Sequence, residues 1–338
     1  IYINDYVSDN YLQISKPEFS PNGGRWAFFA KSMGGWNLIF DSTEIELNAD
    51  SPGVILFSSD SKNILYSFFR GDLEKIISIK DTVEMRYRNG QLFINNDGTK
   101  FALVESRGGV KTVFNDGDIS ESYQDILPIG YWYDDRFAYA AYDGANWKIM
   151  IGNEVVSDVY QNITEAKINL TGDYLAFVGL HAFGREEAVL ISKQMKDPQI
   201  GKNYTSIQGL TISPNEPMLA YKAKTQLNDE IVVFNSVEYS IGRENSNPSF
   251  SFDGREMYFI SCNIDCNLVV NGRKISAPNG IFLDGTYARK PKSNTIAYAS
   301  SASLVVRDLD TQILYAGKMM DYTGPVRYNW RLNEYESL

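Results

Sequence analysis

A single histidine, His181, stands in the 338 residues. That scarcity excludes metal centres built from several imidazoles, and a serine–histidine–acid relay would have to run through this one side chain. The only two cysteines, Cys262 and Cys266, are too few for a multi-disulfide scaffold or for a zinc site held by cysteine alone. No apolar run nears the roughly 18 residues that would suggest a membrane span, so membrane insertion is not expected. Neither a Gly-x-Ser-x-Gly elbow nor a phosphate-cradling glycine loop is present, and no cofactor is expected. Positive charge is the scarcer sign: 32 Lys and Arg against 42 Asp and Glu leave a net charge of −10. Such a chain repels phosphate backbones and anionic bilayers, and no basic cluster interleaved with aromatics offsets this, so nucleic acid is not an expected ligand. A protein or peptide, a cationic partner, a divalent ion or a neutral glycan fits that charge.

What the chain does have is one phrase written eight times. A short apolar strand runs into a Ser/Asn-Asp-Gly type turn and then into an alternating aromatic and aliphatic strand. The phrase is clearest in Phe19-Ser20-Pro21-Asn22-Gly23 before Trp26-Ala27-Phe28-Phe29, and in Phe250-Ser251-Phe252-Asp253-Gly254 before Met257-Tyr258-Phe259-Ile260. Aligned on Asn22, Asp60, Asp97, Asp134, Thr171, Asn215, Asp253 and Ser293, the copies lie 38, 37, 37, 37, 44, 38 and 40 residues apart. Turn residues recur because a tight hairpin needs positive φ at one or two positions, which Gly, Asn and Asp tolerate best. A second strand pair follows each copy, as in Ile231-Val232-Val233-Phe234 with Asn235-Ser236 and Leu268-Val269-Val270 with Asn271-Gly272. Each repeat therefore supplies four strands, A to D. Both faces are apolar, so one unit cannot bury itself alone and needs neighbours on either side.

A period near forty with four short strands per unit marks an all-β propeller of four-stranded blades, eight favoured and seven the alternative. The Phe-Ser-Pro-Asn-Gly and Phe-Ser-Phe-Asp-Gly copies resemble the repeat of TolB-type, WD-like propellers, whose pattern runs Phe-Ser-Pro-Asp-Gly into a strand. The resemblance covers nearly the whole chain and implies a rigid binding platform. Fold-level likeness does not choose among scaffolds, peptidase lids, lyases and receptor modules. The pectate-type lyases that share the resemblance rely on a histidine cluster, which one histidine does not supply. The peptidases carry catalysis in a separate α/β-hydrolase domain, and the residues before Phe19 are too few for the α/β domain of TolB-like proteins.

One propeller domain over 1–338 is expected, with 1–16 as a closing hairpin or strand and 317–338 as a carboxy-terminal extension or closing strand. The start on Ile1, without an initiator Met or a leader, reads as a processed or trimmed chain. Cys262 and Cys266 bracket Asn263-Ile264-Asp265 where strand B passes to strand C, and are read as a disulfide across the hairpin, with a reduced cytosolic pair as the alternative. With the disulfide goes a periplasmic or extracellular location. The sequons at Asn162, Asn169 and Asn203 are explained by chance.

Candidate binding residues fall on the B–C connections: Arg70, Arg107, Tyr142, His181, Arg185 and Asp229. A solvated arginine offers five donors without a packing duty. An exposed loop position is the plainer reading of His181. Trp36 and Trp147 occupy equivalent repeat positions and read as packing between blades. The acidic pieces Asn115-Asp116-Gly117-Asp118 and Asn228-Asp229-Glu230 lack the spacing of a calcium loop and fall at hairpin turns. Tyr66, Tyr139, Tyr221, Tyr258 and Tyr298 repeat at one strand position and read as packing, while Tyr123, Tyr131 and Tyr287 near the D–A connections are placed to serve a sugar platform. The sequence is thus read as a noncatalytic binding module that presents a loop face to a protein or peptide partner in an envelope or surface assembly. The alternative is a carbohydrate-active or other hydrolytic enzyme using loop carboxylates, which need no histidine.

Overall fold

The Ser/Asn-Asp-Gly turns fold as the repeat demands. The residue after each aligned turn position has positive φ: Gly23 (70°), Ser61 (65°), Gly98 (75°), Asp135 (65°), Gly172 (76°) and Gly254 (79°). The copy at Asn215 departs from this, with Pro217 following Glu216, and the copy at Ser293 lies outside the described residues. The structure is a computed structural model. It describes the chain except residues 1, 4–5, 79–81, 87–89, 264–265, 277–286, 290–294, 301–302, 309–312, 319–325, 330–333 and 338, and from residue 275 onward it describes backbone alone.

The chain divides into two compact units, Ile1–Asp158 and Val159–Leu338, each described by itself. The first opens with a small hairpin, Tyr2–Ile3 with Tyr6–Val7, and continues as four antiparallel sheets over 13–46, 51–86, 91–119 and 125–155, blades 1 to 4. The second holds blades 5 to 8 over 162–200, 206–240, 244–276 and 287–318, followed by a hairpin of Val326–Asn329 with Glu334–Ser337. In every sheet the strands lie in chain order. In blades 1 and 7 strand A is split into two short pieces that pair with the same strand B. This is an all-β propeller architecture of four-stranded blades, legible from the sheets themselves.

The hydrophobic cores lie between successive blades. Ala102, Val104 and Val113 of blade 3 pack with Phe137, Tyr139 and Met150 of blade 4, and Val178 and Leu190 of blade 5 with Leu210, Tyr221 and Val233 of blade 6. This explains unbroken apolar B strands such as 137–141 and 175–178, whose side chains are buried on both faces of the sheet. The repeated tyrosines Tyr139, Tyr221 and Tyr258 are buried there; the side chain of Tyr298 lies outside the described residues. Tyr123 and Tyr131 are buried as well, packing edge-on against Tyr139 and Phe137, so neither offers a sugar platform. The side chain of Tyr287 lies outside the described residues.

In six of the turns the opening residue is polar and buried, and it closes the hairpin; blade 4 has Trp132 at that place. The Ser58 hydroxyl donates to Asp60 Oδ1 (2.6 Å) and accepts from the Asn63 amide (3.0 Å). Ser20 and Ser251 repeat this with Asn22 and Arg25, and with Asp253 and Glu256. Asn95 and Asn169 use their side-chain oxygens on the Lys100 and Tyr174 amides. The turns also bond from blade to blade. The Asn22 amide donates to Ser61 Oγ (3.1 Å), Asn63 Nδ2 to the Asp97 carbonyl (2.6 Å), and Asn95 Nδ2 to Asp135 (2.9 Å). In the second unit Asn169 Nδ2 donates to the Pro214 carbonyl (3.0 Å) and the Ser213 hydroxyl to the Gly254 carbonyl (2.9 Å). The A–B ends of blades 1 to 4, and those of blades 5 to 7, are thus hydrogen-bonded chains of turns.

Strand A carries a bulge in blades 2, 4, 5 and 6. A bulge frees backbone amides that then need partners. In blade 2 the Val54 amide donates to Ser67 Oγ (3.2 Å), and in blade 6 the Leu210 amide donates to Glu165 of blade 5 (3.0 Å).

Candidate functional site

At the opposite end of each blade, strand B turns into strand C. Arg70 ends strand Ile64–Arg70, Arg107 ends Phe101–Arg107 and Tyr142 ends Phe137–Tyr142, in successive blades of the first unit. In the second unit His181 ends Tyr174–His181, Arg185 opens Arg185–Ser192, and Asp229 precedes Glu230–Phe234. Arg70, Arg107, Arg185 and Asp229 are exposed; Tyr142 and His181 are half-buried. Among the described residues no side-chain hydrogen bond or ion pair joins any two of the six.

Two of these residues are held in place by neighbours. The Tyr142 ring stacks on Trp147 at 5.3 Å, and its hydroxyl donates to the Gly144 carbonyl (2.9 Å). Backbone amides of Asn146 and Ala145 donate to Asp143 and hold its carboxyl below the ordinary range. That loop is folded onto itself. His181 is no bare loop histidine: its Nε2 lies 2.9 Å from Oε1 of buried Glu187, which also accepts from the Tyr160 hydroxyl at 2.9 Å. The Tyr160 and His181 rings are 5.0 Å apart. Trp36, by contrast, is buried in the core between blades 1 and 2.

Sequence reasoning passed over the tips of the hairpins. Met33 in blade 1, Phe183 in blade 5 and Leu227 in blade 6 are 97%, 98% and 84% exposed, and among the described residues no other large apolar side chain exceeds 80%. Phe183 also sits at φ 72°, a left-handed conformation that costs a bulky residue roughly 1–2 kcal/mol. Charged residues drew attention because their chemistry is named, whereas one Met, Phe or Leu beside glycine or asparagine looks like any turn. Alternation was the available signal, since each of the three falls in a turn and not in a strand.

A second feature was also missed. A cleft of about 750 Å³ lies among blades 2, 3 and 4 of the first unit, walled by residues of their A strands and by the B–C ends of blades 2 and 3. Two buried carboxylates line it, Glu74 (6% exposed) and Glu105 (8%). Burial pushes the Glu74 carboxyl above its ordinary value, partly opposed by a hydrogen bond from Ser67. Glu105 Oε1 accepts from the Thr112 hydroxyl (3.1 Å). Lys111, also in the cleft, is paired with Asp125 at 2.6 Å.

The register sets Cys262 opposite Cys266, and Cys262 is buried; the side chain of Cys266 lies outside the described residues. The acidic pieces are hairpin turns, with Asp116 at φ 49° beside Gly117 at 99°, and Asn228 at 70°. Of the sequons, Asn169 is buried with its amide nitrogen bonded, while Asn162 and Asn203 are exposed. No helix among the described residues is long and apolar enough to cross a membrane.

The chain matches no protein-family model and no curated protein. Among solved structures it is similar to TolB from Acinetobacter baumannii, with 13% identity over 66% of this chain and a TM-score of 0.33. It spans about three fifths of that protein, 61%. It is similar to an oligogalacturonate lyase in complex with manganese, with 12% identity over 72% of this chain and 84% of the lyase, at a TM-score of 0.38. It is similar to the Dos1 propeller, with 11% identity over 90% of this chain and 83% of that one, at 0.34.

Proposed function

We propose that this propeller is a noncatalytic binding module that presents its B–C hairpins to a protein or peptide partner, in an envelope or cell-surface assembly. The observation that carries the reading is the exposure of Met33, Phe183 and Leu227 at hairpin tips, 84% or more, above every other large apolar side chain among the described residues, of which Leu170 at 72% comes next. Solvent gives such residues nothing, and Phe183 is kept there against backbone strain. Arg70 and Arg107 in the first unit, and Arg185 in the second, supply directional donors at B–C ends, as protein-binding surfaces do. Tyr142, His181 and Asp229 complete the candidate contact set.

The test is capture of a partner from the native extract by the wild-type chain and by the Phe183→Ser/Leu227→Ser double variant. Loss of an interface anchor costs about 1–2 kcal/mol, so capture should fall about tenfold or more. Equal capture by both chains sinks the reading. The same reading includes a periplasmic or extracellular location and a Cys262–Cys266 disulfide, supported by their register. Intact-mass measurement after alkylation should show added alkyl groups only when a reductant is used first.

A second reading, a carbohydrate-active or other hydrolytic enzyme, is favoured by one observation: Glu74 and Glu105 line the same cleft, and a carboxyl with a raised pKa suits a general acid. Both residues sit on strands, not on loops. Turnover of a glycan or ester panel that is lost in Glu105→Gln would establish it.

A further inference from the structure

We propose that the cleft of the first unit is a binding site for an aliphatic amine cation, with a diamine as its best-fitting ligand. A buried carboxylate is costly unless a cation or several hydrogen bonds compensate it. Glu74 is more than nine-tenths buried and faces this cleft, yet among the described residues its only partner is the Ser67 hydroxyl. That hydroxyl is fixed in turn, since it accepts the bulge amide of Val54. A Cβ on Gly53 would stand 2.2 Å from Ser67 Oγ, so the chain keeps a glycine where the bulge crosses Ser67.

Within the cleft Lys111 does not compensate Glu74, because Asp125 holds it at 2.6 Å. Glu105 adds a second carboxylate to the same space. The remaining wall is mixed: Gln91 and Ser106 add polar groups, while Val54, Leu56, Leu92 and Ile126 offer a surface for methylenes. An ammonium group brings three donors and a full charge, and its carbon chain takes the apolar part of that wall. Anions are repelled by both acids. A hard divalent ion needs six or more oxygen ligands, and among the described residues no three metal-ligating side chains gather. Two acids in one cleft favour a ligand with an ammonium at each end of a short chain.

The test is calorimetric titration of the full chain at neutral pH with 1,4-diaminobutane, n-butylamine and 1-butanol. The wild type should bind the diamine, bind n-butylamine about tenfold more weakly, and ignore the alcohol. Glu74→Gln and Glu105→Gln should each weaken the diamine about tenfold or more, with thermal unfolding confirming that both variants fold. Asp118→Asn, which removes an exposed acid elsewhere in the unit, should leave binding unchanged. No binding at millimolar diamine, or binding undiminished in both Gln variants, overturns the proposal; the latter would be attraction to the net charge alone. Failure here leaves the hairpin-tip reading intact, because capture through Phe183 and Leu227 is measured without the amine.

Discussion

Blade 5 treats its two ends differently. At the A–B end, buried Asn169 binds the Tyr174 amide, its own turn and the Pro214 carbonyl of blade 6. At the B–C end, the chain turns through Phe183 in a strained conformation with its ring in solvent, while His181 and Glu187 fasten the hairpin's base. One repeat unit thus has an end spent on holding its neighbour and an end left free to meet something else. Stability should respond to changes at the first end and binding to changes at the second.

The largest stability loss is expected at Gly98. Its φ is 75°, and a Cβ there would stand 2.5 Å from Asn63 Cβ of the preceding blade. Gly98→Ala should cost about 2–3 kcal/mol in urea unfolding, combining left-handed strain with overpacking. Ser58→Ala comes next: it removes the buried acceptor of the Asn63 amide and the donor to Asp60, at about 1–2 kcal/mol. The Ser58 hydroxyl also holds the Asp60 carboxyl below its ordinary value, so part of that stabilisation exists only while Asp60 is ionised and is lost as pH falls through its folded pKa. The Ser58→Ala deficit should therefore shrink in acid.

At the other end the sign reverses. Phe183→Gly relieves a left-handed Phe and should leave stability unchanged or raise it by up to about 1 kcal/mol, while partner capture falls. A clear loss of stability would mean that Phe183 has a packing duty and would blur the contrast.

The smallest effect expected is at Glu74. Burial raises its folded pKa, so its stability contribution is fully present in acid and is lost as pH rises through that value. Glu74→Gln should melt slightly above the wild type at neutral pH and level with it below the ordinary glutamate range. A lower melting temperature at neutral pH would show that the charge is already compensated.

The fold was legible because its cause is local and repeated. Asn22, Asp60 and Asp253 stand where the turn needs them, and apolar B strands announce burial on both faces. The bonds between turns were not legible, because Asn63 and Asn169 look like ordinary turn residues until the next blade supplies a carbonyl. Arg70, Arg107 and His181 could be placed at B–C ends from repeat position alone. The partner of His181 could not, since Glu187 lies six residues on in an unremarkable strand. Glu74 and Glu105 were overlooked for a similar reason: a lone acid in a strand reads as a solvated face, and only the packing of adjacent blades makes it a cleft wall.

The most direct test of the division between the two ends uses one blade. Leu170, at the A–B turn of blade 5, is 72% exposed, and Phe183, at its B–C tip, is 98% exposed. A photo-crosslinking residue placed at each position in turn, and irradiated in the native extract, samples both ends of the same sheet. Position 183 is predicted to give a discrete crosslinked product that wild-type protein competes away, and position 170 to give none. The same product from both positions, or from 170 alone, would contradict the assignment of the B–C hairpins as the binding face.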